Sequence, residues 1–340
     1  MTTIQVNSLP VLDVIRDLAK AFQTDYNIDT CEYTVHIPES LGTGWIKAYH
    51  LDNGLGLLEY NCTFYEDLEI QFVVNSAHPL KFIYVTKGNL EHRFENEDTV
   101  HSLEEYQSAI VASSYSYGHI LNFHTNTSVA KFSVEINREK FNLSNAYKNK
   151  DVDADLFNLF QDLDAKETFY YRGDYSLAIA DIFSNFKNYD DQFEGDKLVY
   201  KFYLESVAYQ TLVMHLTQYL DDQNGNTSQS ILRKREFEQI KKAVDYINEN
   251  LETYKGLDEL TRETGLNAIK LQKGFKYLFN NTVNQYVQER RLEKARELLI
   301  DSDNSISQIV SAIGLSSASY FSRVFKDKYG IQPSMFNRNS

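Results

Sequence analysis

The sequence predicts an α+β protein of several domains, in which a β-rich first part is followed by a helical segment and an all-α last part with two helix-turn-helix motifs. Three observations support this prediction. From residue 42 to residue 136, polar and apolar residues alternate with a period of two, as in half-buried strands. From about residue 151, apolar residues recur every three or four positions, as in amphipathic helices. Near the end of the chain, one helix–glycine–helix pattern occurs twice.

Length and charge divide the chain in the same way. Its 340 residues are enough for two or three domains. The whole chain has a formal net charge of −14, but residues 231–340 hold 18 Lys and Arg against 14 Asp and Glu, so the rest carries −18. A basic part attracts polyanions, whereas an acidic part repels them. We therefore expect domains at 1–150, 151–220 and 233–340, with a linker at 221–232.

Eight strands are predicted in the first domain, after a short amphipathic helix at 12–22. They are rich in Val, Ile, Tyr and Phe and are separated by turn residues such as Asn53-Gly54. Short strands at regular spacing are typical of a sandwich or a small barrel. The predicted strands are 45–49, 56–64, 68–75, 80–87, 89–94, 106–112, 118–123 and 128–136.

Aromatic residues are unusually frequent in this β-rich domain. Most must belong to the core, but a few can line an apolar pocket with polar ends, the usual composition of a small-molecule site. The histidines lack the spacing of a known metal site, so we expect no metal held by the protein. The candidate ligand-binding residues are Trp45, Tyr84, His92, Tyr115, Tyr117 and His119.

Motifs that indicate an enzyme or a secreted protein are not found. The sequence has no Gly-rich phosphate loop, no nucleophile elbow and no HExxH motif, so we expect no catalytic activity. Cys31 and Cys62 are too few for a disulfide framework. Since the sequence also lacks a signal-peptide pattern and an apolar run of about 20 residues, we expect a cytoplasmic protein with no membrane contact.

Three helices are predicted in the second domain, at 153–163, 176–186 and 196–220, with Ser176 as the N-cap of the second. The last helix is apolar on more than one face, which requires burial on two sides. One face can pack on its own domain while the other is free for a partner, so we expect a homodimer. The alternative is the central helix of a monomeric bundle.

The two helix-turn-helix motifs are predicted at 257–279 and 306–328. An amphipathic helix at 233–251 precedes them, and a long helix at 282–300 joins them. Two second helices that enter successive major grooves of B-DNA must lie about 34 Å apart. A rigid connecting helix would fix that distance within one chain.

Glycines mark both predicted turns. Gly265 and Gly314 fit there because a turn residue with positive φ disfavours a Cβ atom. Asn267 and Ser316 follow them, and we expect these side chains to cap the second helix of each motif.

The outward faces of the two second helices contain many donor groups and few acids. A solvated face usually mixes charges of both signs, whereas Lys, Arg, Gln, Ser and Tyr suit phosphates and base edges. We therefore expect both helices to bind double-stranded DNA. The residues on these faces are Lys270, Gln272, Lys273, Lys276, Ser317, Ser319, Tyr320, Ser322, Arg323 and Lys326.

About the last 100 residues resemble the DNA-binding domain of the AraC/XylS family of bacterial transcription regulators. The resemblance is carried by Glu289–Leu299 (ERRLEKARELL), Tyr320–Lys326 (YFSRVFK) and the terminal Pro333–Arg338 (PSMFNR). Of the donors, Gln272 and Arg323 are the expected base readers, while the lysines are expected to contact phosphates. By position in the family's motif, the resemblance implies base contacts by Ile269, Gln272, Lys273, Ala318, Ser319, Tyr320 and Arg323.

The resemblance also implies what the first two domains do. It implies a cupin-like sensory barrel that holds a small-molecule effector, a homodimer, and RNA polymerase as a further partner; no cofactor is expected beyond the effector. The run Leu271–Phe279 is similar to regulators of iron-siderophore uptake, which makes a ferric chelate a candidate effector. Two alternatives stay open: a sugar or other metabolite as effector, or a ligand-free regulator whose β-rich domain only dimerises or binds a protein partner.

Overall fold

The chain forms two compact units, Met1–Thr227 and Ser228–Ser340, called the β unit and the helical unit below. Among the described residues, no helix is both long enough and apolar enough to cross a membrane. The computed structural model describes residues 2–7, 10–73, 79–141, 153–166, 168–173, 175–193, 195–223, 234–301 and 304–335.

The described part of the β unit has thirteen strands in two sheets. They are β1 (Thr2–Asn7), β2 (Tyr26–Asp29), β3 (Glu32–His36), β4 (Gly42–His50), β5 (Leu55–Phe64), β6 (Leu68–Val73), β7 (Leu80–Lys87), β8 (Leu90–Phe94), β9 (His101–Leu103), β10 (Ser108–Ala112), β11 (His119–Phe123), β12 (Ser128–Ile136) and β13 (Phe169–Gly173). The small sheet has the order β1-β6-β11-β8-β9 and the large sheet β13-β10-β7-β12-β5-β4-β3-β2.

All eight predicted strands are confirmed, as β4 to β8 and β10 to β12. The predicted strand at 68–75 ends at Val73, and residues 74 and 75 lie outside the described residues. Five further strands, β1 to β3, β9 and β13, were not predicted. The most informative is β13, which lies inside the segment predicted to be helical and pairs antiparallel with β10. Pairing with a neighbour distant in sequence, not local periodicity, makes this segment a strand.

The first core lies between the two sheets. Helix α1 (Val11–Phe22) buries Val14, Ile15 and Leu18 against it. The inward faces of both sheets supply the rest, including Phe72 of the small sheet and Tyr60 of the large one. The eight-stranded sheet is thus covered on one face by the small sheet and α1, an arrangement that favours strands buried on both sides.

The second core covers the other face of the large sheet. It is formed by α2 (Arg138–Phe141), α3 (Ala154–Gln161), α4 (Leu177–Gln192) and α5 (Lys197–Gln223). The predicted cap is confirmed, because the backbone N–H of Ile179 donates to Ser176 Oγ over 3.4 Å. His215 of α5 lies between two carbonyl oxygens, with Nδ1 2.9 Å from Thr211 O and Nε2 3.1 Å from Ile83 O of β7.

The helical unit contains the two predicted motifs. Its helices are α6 (Lys234–Glu249), α7 (Leu257–Thr264), α8 (Ala268–Phe279), α9 (Val283–Asp301), α10 (Ile306–Ala312) and α11 (Ala318–Tyr329), followed by a short 3-10 helix at Pro333–Met335. The linker predicted at 221–232 falls largely on residues 224–233, outside the described residues.

The turns of the two motifs differ by one residue. Gly265 and Gly314 have φ values of 70° and 72°, as their predicted positions require. Asn267 caps α8 as predicted, with Oδ1 accepting from the N–H of Lys270 over 2.9 Å. The cap predicted at Ser316 is wrong, because Ser317 Oγ accepts from the N–H of Tyr320. Three residues separate Gly314 from α11, but only two separate Gly265 from α8, which moves the cap by one position.

Candidate nucleic-acid interface

The second helices of the two motifs, α8 and α11, have the same length and share two buried positions. Each has twelve residues. Leu271 and Phe275 of α8 are buried at the positions that Phe321 and Phe325 occupy in α11. A constant offset of 50 residues therefore relates the two helices, so Lys273 of α8 corresponds to Arg323 of α11.

The outward face of each helix presents the residues that the sequence predicted. Ile269 is 67% exposed and Tyr320 is 39% exposed. Positions three and four residues apart share one face of a helix, so the exposed residues form a single stripe on each helix. The exposed candidates are Ile269, Lys270, Lys273, Lys276, Ser317, Ala318, Ser319, Tyr320, Arg323 and Lys326.

Three cations on these stripes have no acidic partner among the described residues. Within the described part of the helical unit, Lys273, Arg323 and Lys326 form no ion pair. The guanidinium of Arg323 lies over the ring of Tyr320, 5.5 Å from its centroid. A planar group held on an aromatic ring is restrained in orientation, which suits bidentate recognition of a base edge.

Other candidates are already engaged within the unit. Lys270 pairs with Glu236 of α6, and Lys276 Nζ donates to the carbonyl of Asn280 over 2.9 Å. Gln272 is half-buried, and its Oε1 accepts from the N–H of Val283, the first residue of α9, over 3.2 Å. Base reading by both atoms of the Gln272 amide requires that bond to break, so the role expected for Gln272 stays a prediction.

A residue that the sequence did not single out attaches α9 to the segment between α6 and α7. Arg291 donates from Nε and Nη2 to the carbonyl of Leu251, over 3.1 and 2.9 Å, and from Nη2 to the carbonyl of Tyr254 over 3.0 Å. Burial lowers the pKa of Arg291. In the sequence, the one sign of this role is that Arg291 lies within the amphipathic run predicted at 282–300. A cavity of about 220 Å³ beside it is lined by the segment before α7, by α9 and by the second motif, including Tyr254, Asn284, Gln288, Leu315 and Tyr320.

The six candidate ligand residues of the β unit do not form one site. Tyr115 and Tyr117 are exposed in the loop between β10 and β11. Trp45 lies on the helical side of the large sheet, since Lys187 of α4 is 4.5 Å from its ring centroid. Tyr84 also faces the helices, because its hydroxyl donates to the carbonyl of Ser176.

His92 and His119 are the two candidates that the fold brings together. Both are buried between the sheets, on the neighbouring strands β8 and β11, with ring centroids 5.4 Å apart. His119 stacks on Phe72 at 4.4 Å, and its Nδ1 lies 3.2 Å from Ser113 Oγ. Burial lowers the pKa of His92 to about 3, so its ring is neutral at pH 7. Nowhere in the described chain do three His, Cys, Asp or Glu side chains form a group suited to a metal ion.

A group of buried polar residues beside them was missed. Lys81, Lys131, Ser133 and Glu135, called the intersheet cluster, are each at most 3% exposed. They point between the sheets, because Lys81 Nζ lies 4.3 Å from the ring centroid of Phe72 in the small sheet. Alternation along β12 would assign 131, 133 and 135 to a solvated face. The missing information is that a second sheet covers that face.

The intersheet cluster contains two ammonium groups but one carboxylate, which pairs with only one of them. Both oxygens of Glu135 lie 2.9 Å from Lys81 Nζ. Lys131 Nζ donates to Ser133 Oγ over 3.3 Å and lies 4.0 Å from the ring centroid of Tyr60. Burial lowers the pKa of Lys81, and it lowers the pKa of Lys131 to about 7, with Glu135 acting in the opposite direction.

Comparisons with known proteins agree with the geometry of the helical unit. Residues 260–339 match a family model described as a helix-turn-helix domain. The probable transcription factor PqrA of Proteus vulgaris is 34% identical over 83 residues, which cover 24% of this chain and 68% of that protein. The transcriptional activator CfaD of Escherichia coli is 47% identical over 57 residues, covering 17% of this chain and 22% of CfaD.

The similarity to two longer relatives covers less than a third of the chain. The regulatory protein PocR of Salmonella typhimurium is 33% identical over 99 residues, covering 29% of this chain and 33% of PocR. The chain thus spans a third or less of the length of PocR and CfaD. The family model, at residues 260–339, lies within the helical unit.

Proposed function

The chain belongs to the AraC family of DNA-binding transcription regulators, and we propose that it is a ligand-responsive member in which the helical unit reads DNA and the β unit binds a small-molecule effector. The observation that carries the proposal is the pair of equivalent helices, α8 and α11, with unpaired cations on their exposed stripes. We assign base reading to Arg323 and phosphate contacts to Lys273 and Lys326. The proposal also includes RNA polymerase as a partner and a cupin-like fold for the β unit.

Arg323→Ala is expected to weaken binding to the specific DNA site by about 1–3 kcal/mol, while binding to random DNA changes little. The reason is that the restrained guanidinium can donate two hydrogen bonds to a guanine edge. The site is first selected from a random DNA pool with the full chain, and affinities are then measured at several salt concentrations.

Lys326→Ala is the matched control, since Lys326 is an exposed cation one turn further along α11. It should weaken all sequences alike and reduce the salt dependence by about one counterion. Equal losses on specific and random DNA for Arg323→Ala would make Arg323 a phosphate contact. If the selection yields no preferred sequence, the regulator proposal itself fails.

An effector changes DNA binding only if it prefers one arrangement of the protein. The intersheet cluster and the neighbouring His92 support a binding site inside the β unit, since a buried polar group without a hydrogen-bond partner calls for an explanation and a ligand can supply the partner. Ferric chelates and sugars are the first compounds to test for a change in affinity of the full chain for its selected DNA. A β unit that binds none of the compounds would favour a protein partner.

We also propose that α5 forms a homodimer through its exposed face. One face of α5 packs in the second core, while Leu198, Val199, Phe202, Tyr209 and Val213 of the other face are between 43 and 60% exposed. This face spans about 22 Å at 1.5 Å per residue. Exposed apolar patches of this kind mark interaction sites.

The order of side chains on α5 favours a second copy of the same helix as the occupant. Val199 and Val213 lie seven residues on either side of Ser206, and Leu198 and Met214 lie eight residues away. An antiparallel pair of α5 helices related by a two-fold axis at Ser206 would therefore place Val199 on Val213 and Leu198 on Met214 of the second copy. A self-complementary surface is what a two-fold interface requires.

Phe202→Asp is expected to convert a dimer into a monomer in sedimentation velocity at micromolar concentration. A charge in the middle of an apolar interface costs about 2 kcal/mol or more, roughly a 30-fold loss in affinity. Val100→Asp, at a residue 48% exposed in the loop between β8 and β9, is the matched control and should stay dimeric. A wild-type chain that sediments as a monomer would exclude the α5 dimer.

A further inference from the structure

We propose that the core between the two sheets binds a small organic carboxylate, with the ammonium group of Lys131 as its counter-charge. This inference rests on the proposed function, because the carboxylate would be the effector of the β unit. It adds the chemical class of the effector and the residues that hold it.

The first argument is the charge balance of the intersheet cluster. Lys81, Lys131 and Glu135 are 3%, 2% and 1% exposed, so bulk water does not hydrate their charged groups. Glu135 directs both carboxylate oxygens to Lys81. With Lys131 protonated the cluster therefore has one positive charge in excess. A single carboxylate would neutralise it.

The second argument is the cost of leaving Lys131 as it is. Its ammonium group has three donors, and in the described part of the β unit it meets one hydroxyl acceptor, Ser133 Oγ, and the face of the Tyr60 ring. An unpaired charge removed from water costs several kcal/mol, and apolar side chains of similar volume usually stabilise the fold better. A ligand that accepts hydrogen bonds from this ammonium group would explain why a lysine stands at this position.

The third argument is a set of buried polar atoms without hydrogen bonds. Among the described residues, the hydroxyls of Tyr60 and Tyr170 and both ring nitrogens of His92 have no partner. All three side chains belong to, or pack against, the core between the sheets. A neutral His92 and the two hydroxyls provide three donors. A carboxylate accepts several hydrogen bonds, so one ligand can satisfy more than one of these groups.

The walls around these groups indicate an organic ligand. Phe72, Phe94 and Phe123 are buried in the same core. The polar and aromatic groups are continuous, because Lys81 Nζ lies over Phe72, Phe72 stacks on His119, and His119 lies 5.4 Å from His92. An apolar enclosure with a few donors favours a ligand with an apolar body and one charged end.

A ligand would enter this core at the edge formed by β9 and β13. Each is the last strand of its sheet. His101 of β9 stacks on Tyr170 of β13 with ring centroids 3.7 Å apart, and Tyr170 in turn stacks on His92 at 5.6 Å. Arg172 of β13 is exposed and donates to the carbonyl of Ser102 over 3.4 Å. Entry requires His101 and Tyr170 to separate, and Arg172 places a positive charge at the opening.

Binding should depend on pH. The pKa of Lys131 is lowered to about 7, mainly by burial and also by the charge of Lys81, while Glu135 and Cys62 act in the opposite direction. A bound carboxylate favours the ammonium form and raises that pKa. Above pH 7 the free protein has lost the proton that the complex needs, so affinity should fall about tenfold per pH unit. Below pH 7 it should level off, until the ligand itself is protonated.

The test is isothermal titration calorimetry of the full chain with two anions, hexanoate and phenylacetate, and with their neutral amides, hexanamide and phenylacetamide. We expect at least one anion to bind and its amide to bind at least tenfold more weakly. Lys131→Met should weaken the anion by about 10–100-fold and leave the amide unchanged. Lys87→Met, which removes an exposed lysine at the end of β7, should change neither. Equal affinity for anion and amide, or no binding of either anion, would overturn the proposal.

A stability measurement excludes a purely structural role for Lys131. Without ligand, Lys131→Met should be at least as stable as the wild type, since it replaces an unpaired buried ammonium with an apolar side chain of similar length. A less stable variant would overturn the proposal, because Lys131 would then be satisfied by the protein alone. The DNA-selection experiment keeps the two proposals apart, since a preferred DNA sequence obtained without any anion upholds the regulator even if the carboxylate proposal fails.

Discussion

Glu135→Gln is expected to lower the free energy of unfolding of the β unit by about 3–5 kcal/mol, the cost of breaking one side of a buried ion pair. Glu135 is the single carboxylate in the intersheet cluster, and both of its oxygens face Lys81 Nζ. An amide at this position offers one carbonyl oxygen and no charge. Lys81 and Lys131 would then face each other without an intervening negative charge.

The unfolding of the β unit can be followed separately, because Trp45 is the single tryptophan of the chain. Glu69→Gln is the matched control: Glu69 pairs with Arg93 over 3.1 Å near the surface of the small sheet, where such pairs contribute about 0–1 kcal/mol. In the double variant Lys81→Met/Glu135→Leu most of the loss should disappear, since both charges are removed together. A Glu135→Gln loss as small as that of Glu69→Gln would show that water reaches the cluster.

Gly314→Ala is expected to destabilise the helical unit by about 2–5 kcal/mol, whereas Gly265→Ala should cost only about 1–2 kcal/mol. Both glycines have positive φ, so both substitutions share the backbone strain. A Cβ at Gly265 would meet nothing within 4 Å. At Gly314 it would lie 2.3 Å from the carbonyl oxygen of Glu252 and 2.7 Å from that of Leu251. Neither backbone oxygen can move aside without shifting the segment between α6 and α7.

The two variants form their own matched pair, since the local conformation is shared and only the surrounding space differs. Denaturant unfolding is followed by circular dichroism at 222 nm, while Trp45 fluorescence should show an unchanged β unit. Equal losses for the two variants would mean that the second turn does not approach residues 251 and 252 as closely as the structure shows.

The strongly periodic parts of the chain were predictable from the sequence. The limits of β7 and β12 were predicted to the residue, and both turn glycines were identified, because alternation and positive φ leave direct traces in the sequence. The helices of the second motif were also found, although the cap was placed one residue too early, at Ser316. A turn that is longer by one residue has no local signature in that Ser-Ser pair.

Features that depend on distant partners were not predictable. Segment 169–173 becomes a strand because β10 has an open edge, and no periodicity within five residues indicates that. Lys131 and Glu135 are buried because the small sheet covers them. Their polar side chains alone would assign them to a face exposed to solvent. Gln272 had a residue type suited to reading adenine, but only the fold shows that Val283 already uses its carbonyl oxygen.

His215 connects the exposed helix α5 to the strand that carries Lys81. Its two ring nitrogens face two carbonyl oxygens, of Thr211 and Ile83, and burial lowers the pKa of the ring. A neutral imidazole has one N–H, so it can donate to only one of them at a time. The two tautomers have the same heavy-atom positions and differ in the location of one proton. One attaches the ring to α5 and the other attaches it to β7.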